Sequence, residues 1–408
     1  MATATQTFRY TVRDKVGQTR SGTLDAADQR VVATKLRDMG YAPVSITAVQ
    51  QKALKKELTI PGFGTKVGQK DLVVFSRQFS TMIGSGLSLI RSLNILAEQT
   101  ENKALAKIVG EVRTEIEQGR SLSSALADHK VFPKLYVAMV KAGETAGILD
   151  EILLRVAETL EKDLALRGKI KSALTYPVVV LIMAVILTII MLIFIVPTFV
   201  GMFAQLGGEL PLPTKILLLL STIVRKAWFI LIFGPLLAMR GFKYARGKPA
   251  IRFQLDRLKL KLPVFGPLFH KLALSRFSRN LGTLLRAGVP ILTALDITAD
   301  TIDNGVISNA LNDVKDSVKE GETVSAPLKT HAIFPPMVVQ MIAVGEETGG
   351  MDTMLVKISD FYDSEVESTT ESLTAMLEPI MIGVLGGIVG AMVIALYLPM
   401  FKIFDLIE

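Results

Sequence analysis

Three histidines, no cysteine and two matching Gly-Glu elements are the residues here that could do chemistry, and their spacing argues against most of it. His129, His270 and His331 include no pair four apart with a carboxylate between, so a helical zinc site has no ligand set. The lack of cysteine removes disulfides, thiolate metal sites and cysteine nucleophiles. Gly62-Phe63-Gly64-Thr65-Lys66 lacks the Gly-x4-Gly-Lys-Ser/Thr spacing and a preceding strand, so it reads as linker and not as a phosphate loop. The long apolar runs carry no aspartate for an intramembrane protease. His129 and His331 each precede Phe-Pro and suit a loop-ordering role. No catalytic residue, cofactor or metal is expected, and the chain is not read as an enzyme.

Binding is the chemistry that remains. Gly143-Glu144-Thr145-Ala146-Gly147 and Gly345-Glu346-Glu347-Thr348-Gly349 each fall where one helix should end and the next begin. Glycine supplies a left-handed cap there, and the glutamate, or Asp150 and Asp352, suits a first helical turn. The elements read either as plain helix–helix turns or as docking corners for a partner, with Gly143, Glu144, Gly147, Gly345, Glu346 and Gly349 as the contact candidates. Gly383, Gly386, Gly387 and Gly390 form two overlapping Gly-x3-Gly pairs in the last apolar run, a spacing that lets another helix backbone approach closely. Glu378 stands at the membrane edge beside Pro379. Pro177 and Pro379 are expected to bend or begin their helices at one depth.

The elements that position these residues occur twice. Displaced by 202 positions, Phe75-Ser76-Arg77 falls on Phe277-Ser278-Arg279, Phe132-Pro133 on Phe334-Pro335, and Gly143-Glu144 on Gly345-Glu346. Pro177 and Pro197 fall on Pro379 and Pro399. The register holds without a gap from residues 75–199 to 277–401, through polar and apolar stretches alike, which indicates duplication of a polar domain joined to a membrane helix.

Half of the residues are hydrophobic, yet 21% are charged, so water-facing domains accompany the spans. Val178–Val196 is an apolar run long enough to cross a bilayer, and Pro379–Phe401 is a second. Residues 215–240 make a third span, with Arg225 and Lys226 snorkelling outward; a re-entrant hairpin is the alternative. Lys162, Arg167, Lys169 and Lys171 precede the first span, and Arg240, Lys243, Arg246 and Lys248 follow the second. The loop between carries only Glu209. Both polar domains and the N-terminus therefore face the cytoplasm, in a multi-pass protein of the cytoplasmic (inner) membrane with an extracytoplasmic C-terminus. The acidic approach to the last span (Asp360, Asp363, Glu365, Glu367, Glu371) looks contrary, but acids weigh little in that rule. Much of the net charge of +8 flanks the spans, so no direct nucleic-acid contact is expected.

The expected fold is mostly α: a polytopic membrane protein with two duplicated cytoplasmic helical bundles, three transmembrane helices and a small N-terminal α+β module. The module takes residues 1–50, its strands around Phe8–Val12, Gly22–Leu24 and Val44–Thr47 and its helix over Ala27–Met39 with Asp25 or Asp28 at its start. A linker (51–70) leads to the first bundle (71–171), a span (172–200), a loop (201–214), the middle span (215–240), the second bundle (241–375), the last span (376–402) and a tail (403–408). Each bundle reads as about six helices, Ser121 capping one of them.

"FSRQFSTMIGSGLSLIRSLNIL" and "FSRNLGTLLRAGVPILTALDIT" resemble the two F-domain openings of the type IV pilus and type II secretion platform family. "ALTYPVVV" to "IVPTF" and "MLEPIMIG" to "YLPMF" are similar to that family's first and last spans, and the resemblance covers residues 71–405. It implies an inner-membrane assembly platform coupling a hexameric cytoplasmic secretion ATPase to extraction and polymerisation of pilin-like subunits. It also implies contact with other platform components and homo-oligomers. The Gly-Glu corners would then be places for the ATPase or a neighbouring subunit. Glu378 would meet the amino terminus of a pilin stalk, with plain interfacial solvation as the alternative, and the glycines would meet a pilin stalk, a second protomer or the first span. Alternatives are a secondary transporter or another polytopic scaffold. Only three spans, without an ionisable residue inside the two confident ones, count against a transporter.

Overall fold

In the computed structural model, residues 6–13, 19–26, 28–48, 66–204, 210–246 and 249–407 are described, and they form two units, one ending at Lys66 and the other running from Val67. Most of the expected linker, the Gly62–Thr65 stretch, the turn at Gly17 and Glu209 lie outside the described residues.

The first unit pairs β1 (Gln6–Arg13) antiparallel with β2 (Thr19–Ala26) and with β3 (Ala42–Ala48), in the order β2-β1-β3. Helix α1 (Gln29–Asp38) packs its buried Val32 and Leu36 with Phe8 and Val12 of β1. Asp28 caps it, and Gly40, at φ 81°, ends it in the left-handed region.

The second unit opens with a six-helix bundle: α2 (Gln69–Gly84), α3 (Leu89–Gln99), α4 (Lys103–Glu117), α5 (Leu122–Ala127), α6 (Lys134–Ala146) and α7 (Leu149–Ile190). Each boundary has a local cause. Asn102 Oδ1 accepts from the N–H groups of Ala104 and Leu105, and Ser121 Oγ from that of Ser124. Apolar residues at helical spacing (Phe75 and Phe79, Leu93 and Leu96, Leu105, Val109 and Val112) are all at most 1% exposed and share one core.

Helix α7 passes without a break into a π-helical turn, Met191–Ile195, and then α8 (Val196–Ala204). Beyond the undescribed loop come α9 (Leu212–Lys226), α10 (Trp228–Arg246) and α11 (Pro249–Lys261). The second bundle follows as α12 (Gly266–Arg286), α13 (Ile291–Thr301), α14 (Gly305–Lys319), α15 (Ser325–Thr330), α16 (Pro336–Thr348) and α17 (Met351–Ile407). Its left-handed glycines, Gly288, Gly321 and Gly349, are the displaced counterparts of Gly86, Gly119 and Gly147. Asn304 caps α14 as Asn102 caps α4. Helix α11, whose displaced counterpart lies mostly outside the described residues, packs on α12 and α14. It buries Asp256 against the Gly305 N–H (3.1 Å) and Lys259 (2.7 Å).

Two described rods are long and apolar enough to cross a bilayer, Leu149–Met202 and Met351–Phe401. The most apolar window of the first is 6% buried, so it is no core helix of a soluble fold. The middle segment departs from the single helix expected over 215–240. It divides at Ala227 (φ −111°, ψ 27°), leaving Arg225 and Lys226 in the last turn of α9, where a helix terminus favours positive charge. Pro177 and Pro379 begin no helix either: both lie inside continuous rods, each at the cost of one backbone hydrogen bond.

Candidate functional site

The Gly-Glu elements differ from their sequence reading in one respect. Gly143 and Glu144 are not in a turn: they lie in the last turns of α6, and only Gly147 (φ 71°) makes the left-handed stop. The glutamate serves a third helix. Its carboxylate accepts from the N–H groups of Leu122 and Ser123 and from Ser123 Oγ, which caps the start of α5. Glu346 repeats this with the N–H groups of Val324 (2.6 Å) and Ser325 (3.2 Å) and with Ser325 Oγ (2.9 Å). A carboxylate is favoured there because a helix start presents unpaired N–H donors and a positive dipole end. Each corner thereby ties three helices at one point.

Gly143 and Gly345 allow the close approach that this needs. A Cβ on Gly143 would lie 2.9 Å from Ile152, and one on Gly345 would lie 2.8 Å from the Met351 backbone. Gly349 (φ 72°) matches Gly147. Beside the second corner, Gly345, Glu346 and Gly349 line a shallow cavity with Leu285, Val318 and Asp352.

A second repeated element went unread in the sequence. Arg77 donates from Nε to Glu161 at 2.6 Å, and Arg279 pairs with Asp363, joining α2 to α7 and α12 to α17. The hydrogen bond holds the Glu161 carboxyl below the usual carboxylate range. The signal was present: Phe-Ser-Arg recurs, and an acid stands 84 residues beyond the arginine in each copy.

Ion pairs also join the copies. Lys162 reaches Asp360 at 3.0 Å, Lys169 pairs with Glu367, and Lys134 reaches Asp300 at 2.6 Å. Burial alone would push the Asp163 carboxyl up, but Arg276 of the second copy and Arg167 outweigh it and hold the group below its ordinary value. Together with Lys271–Glu365 and Arg279–Asp363, these contacts account for four of the five acids on the approach to the last span: Asp360, Asp363, Glu365 and Glu367 face cations of α7 and α12, and Glu371 is exposed.

Within the apolar layer, α9 packs against the π-helical turn and α17 around Leu192, Val196, Leu217 and Leu396. Two hydroxyls fix it: Ser221 Oγ donates to the Leu192 carbonyl and Thr214 Oγ1 to that of Ala395, each at 2.5 Å. Neither was singled out in the sequence, since a serine or threonine in an apolar run does not reveal its acceptor. Gly383, Gly386, Gly387 and Gly390 do not meet the first span, for a Cβ on any of them would find nothing within 4 Å. Glu378 is exposed on α17.

Comparison with known proteins accords with this duplication. The family described as type II secretion system (T2SS), protein F matches twice, over residues 75–197 and 277–399, and the N-terminal domain of that protein matches residues 1–47. The chain is 46% identical to type IV pilus assembly protein PilC of Thermus thermophilus over 97% of its own length and 98% of that protein's. It is 42% identical to the Myxococcus xanthus protein of the same name, over 99% and 97%. Type II secretion system protein F of Vibrio cholerae is 32% identical, over 89% of each.

Proposed function

Because the chain belongs to the type II secretion system protein F family, we propose that it is the inner-membrane platform of a type IV pilus machine, where pilin-like subunits are drawn from the bilayer and polymerised. The observation that carries the reading is near-full-length similarity at 46% and 42% to type IV pilus assembly proteins, against 32% to a type II secretion protein F. Type II secretion is the second reading, favoured by the same family match.

On this reading the platform does mechanical work and no chemistry of its own. A hexameric cytoplasmic ATPase binds the bundles, with the corners at Gly143, Glu144, Gly147, Gly345, Glu346 and Gly349 as the docking places. Motion passes along α7 and α17, which run without a loop from bundle into apolar segment. Pilin stalks meet the exposed side of α17 near Glu378 and the open glycines. The proposed topology has three crossings, α9 and the start of α10 supplying the middle one. It leaves the N-terminus and both bundles in the cytoplasm and the C-terminus outside. The basic residues flanking the first two apolar segments support that orientation.

Deleting the gene should abolish surface pili. The full-length chain in nanodiscs should retain the cognate pilus ATPase but not an unrelated hexameric ATPase. Pili assembled in its absence would refute the reading, and a platform that fails to retain the ATPase would remove the coupling step.

A further inference from the structure

Helix α11 gives one face to the second bundle and leaves the other uncovered. Its inward side packs on α12 and α14, where Asp256 accepts from the Gly305 N–H and from Lys259. On the opposite side, Ile251, Leu258 and Leu262, the last just past the helix end, fall along one line at helical spacing. They are 36%, 59% and 40% exposed. Arg257 and Lys261 fall along a second line beside them, one turn apart. Asp256 is the one acid of α11 and is 1% exposed, so no carboxylate of this helix offsets those cations. Arg252 and Lys259 are already paired, with Asp303 at 3.4 Å and Asp256 at 2.7 Å. Arg257 and Lys261 are exposed and have no ion-pair partner among the described residues. An apolar stripe bordered by unpaired cations is the face of a helix that lies in a bilayer surface.

The fold sets this face at a matching depth. The turn that follows α11 packs Val264 and Phe265 into one apolar cluster with Ile170 of α7 and Leu377 of α17. Ile170 stands just before Lys171, and Leu377 just before Glu378, the last charges ahead of the two apolar runs. The turn is therefore level with the membrane edge. Arg257 lies about 8 Å along the helix from Leu262, against a headgroup layer roughly 6 Å deep. Long basic side chains span the difference. Lys171 of α7 and Arg240 of α10 are further exposed cations without an ion-pair partner among the described residues.

We infer that the outer face of α11 binds the anionic headgroups of phospholipids such as phosphatidylglycerol, with Arg257 and Lys261 on the phosphates and Leu258 and Leu262 among the first acyl carbons. The occupant is lipid and not another protein, because the face adjoins the rods where they enter the bilayer and carries charge of one sign. The contact gives the second bundle a hold on the membrane besides its covalent rod. The inference rests on the reading of α7 and α17 as membrane spans and holds whichever machine the platform serves.

The chain has no cysteine, so a single introduced one takes a label without background. Full-length Leu258→Cys carrying a fluorophore is placed in nanodiscs of phosphatidylcholine, with or without phosphatidylglycerol, each containing a trace of headgroup-nitroxide lipid. The nitroxide should quench the label strongly when phosphatidylglycerol is present and weakly when it is absent. Each surface cation strengthens attachment to an anionic leaflet roughly fivefold, so Arg257→Gln together with Lys261→Gln should remove most of that difference. Full-length Val178→Cys, labelled in the first apolar run, is the control: acyl-chain nitroxides should quench it in either composition. No quenching at position 178 would refute the spans and this inference with them. A quenched label at 178 with an unquenched one at 258 overturns the headgroup contact alone. Equal quenching in both lipid mixtures, or no change in the glutamine variant, overturns it too. So does a label at 258 that is shielded from iodide yet untouched by headgroup nitroxides, for a protein then covers the face. All four substituted side chains are exposed, and unchanged thermal melting separates a lost contact from a lost fold.

Discussion

Glu144 and Glu346 illustrate how one side chain can hold more structure than its own helix. Each accepts from two backbone N–H groups and a hydroxyl at the start of another helix. Charge-assisted bonds of this kind contribute roughly 1.5–3 kcal/mol. Glu144→Ala and Glu346→Ala should each destabilise the purified protein by that amount, read as a lower thermal midpoint, with Glu→Gln losing less because an amide oxygen still accepts. The neighbouring glycines differ in what surrounds them. Gly143→Ala meets the Ile152 side chain, which can yield, whereas Gly345→Ala meets the Met351 main chain, which cannot. The second substitution should therefore destabilise more in parallel melts; equal effects would contradict this contact geometry. Asp163 adds a pH dependence. Its folded pKa lies below the ordinary 3.8, so its stabilising contribution is complete above that value and is lost as pH falls through the lower folded one. Asp163→Asn should lower stability at neutral pH and flatten the acid limb below about pH 4, where the unchanged protein loses this term.

At the scale of elements, the decisive feature is the pair of rods that leave the bundles and enter the apolar layer. Helix α7 carries Arg155, Asp163 and Lys169 among the charged contacts and continues through Lys171 into an apolar run without a cap or loop. Two glycines inserted after Lys171 would supply the hinge that this rod lacks, since glycine costs about 1 kcal/mol per residue in a helix and frees the backbone. Such a variant should insert in the membrane and retain the ATPase yet fail to assemble pili. Assembly at the unaltered rate would exclude the rod as the path of motion. The middle segment is different in kind: its division at Ala227 and the hydroxyl bonds of Thr214 and Ser221 make α9 a strut between the rods.

For the molecule as a whole, the two bundles share one apolar core and are bridged by exposed ion pairs. Exposed pairs contribute about 0–1 kcal/mol each, so apolar burial holds the copies together and the charges set their register. On the proposed topology, which puts both bundles on the cytoplasmic face, membrane-impermeant amine or cysteine labelling should reach positions 130 and 329 only after that face is opened. Labelling of either position from outside would end this topology.

Duplication, helix boundaries and the two long apolar rods were legible in the sequence because they rest on local chemistry. Glycine alone takes the left-handed stops at positions 86, 119, 147, 288, 321 and 349, side-chain oxygens cap the helices, and apolar spacing marks the buried faces. The role of Glu144 and Glu346 was half legible: their recurrence marked them, but the partner helix lies more than twenty residues back, and spacing carries no such distance. The acceptors that Thr214 and Ser221 of α9 find on Ala395 and Leu192 were not legible, because only packing supplies them. The same holds for the openness of the glycine face. A repeated sequence says that two copies exist; only the tertiary structure decides which face of one meets which face of the other, because two copies of one fold can pair in more than one way.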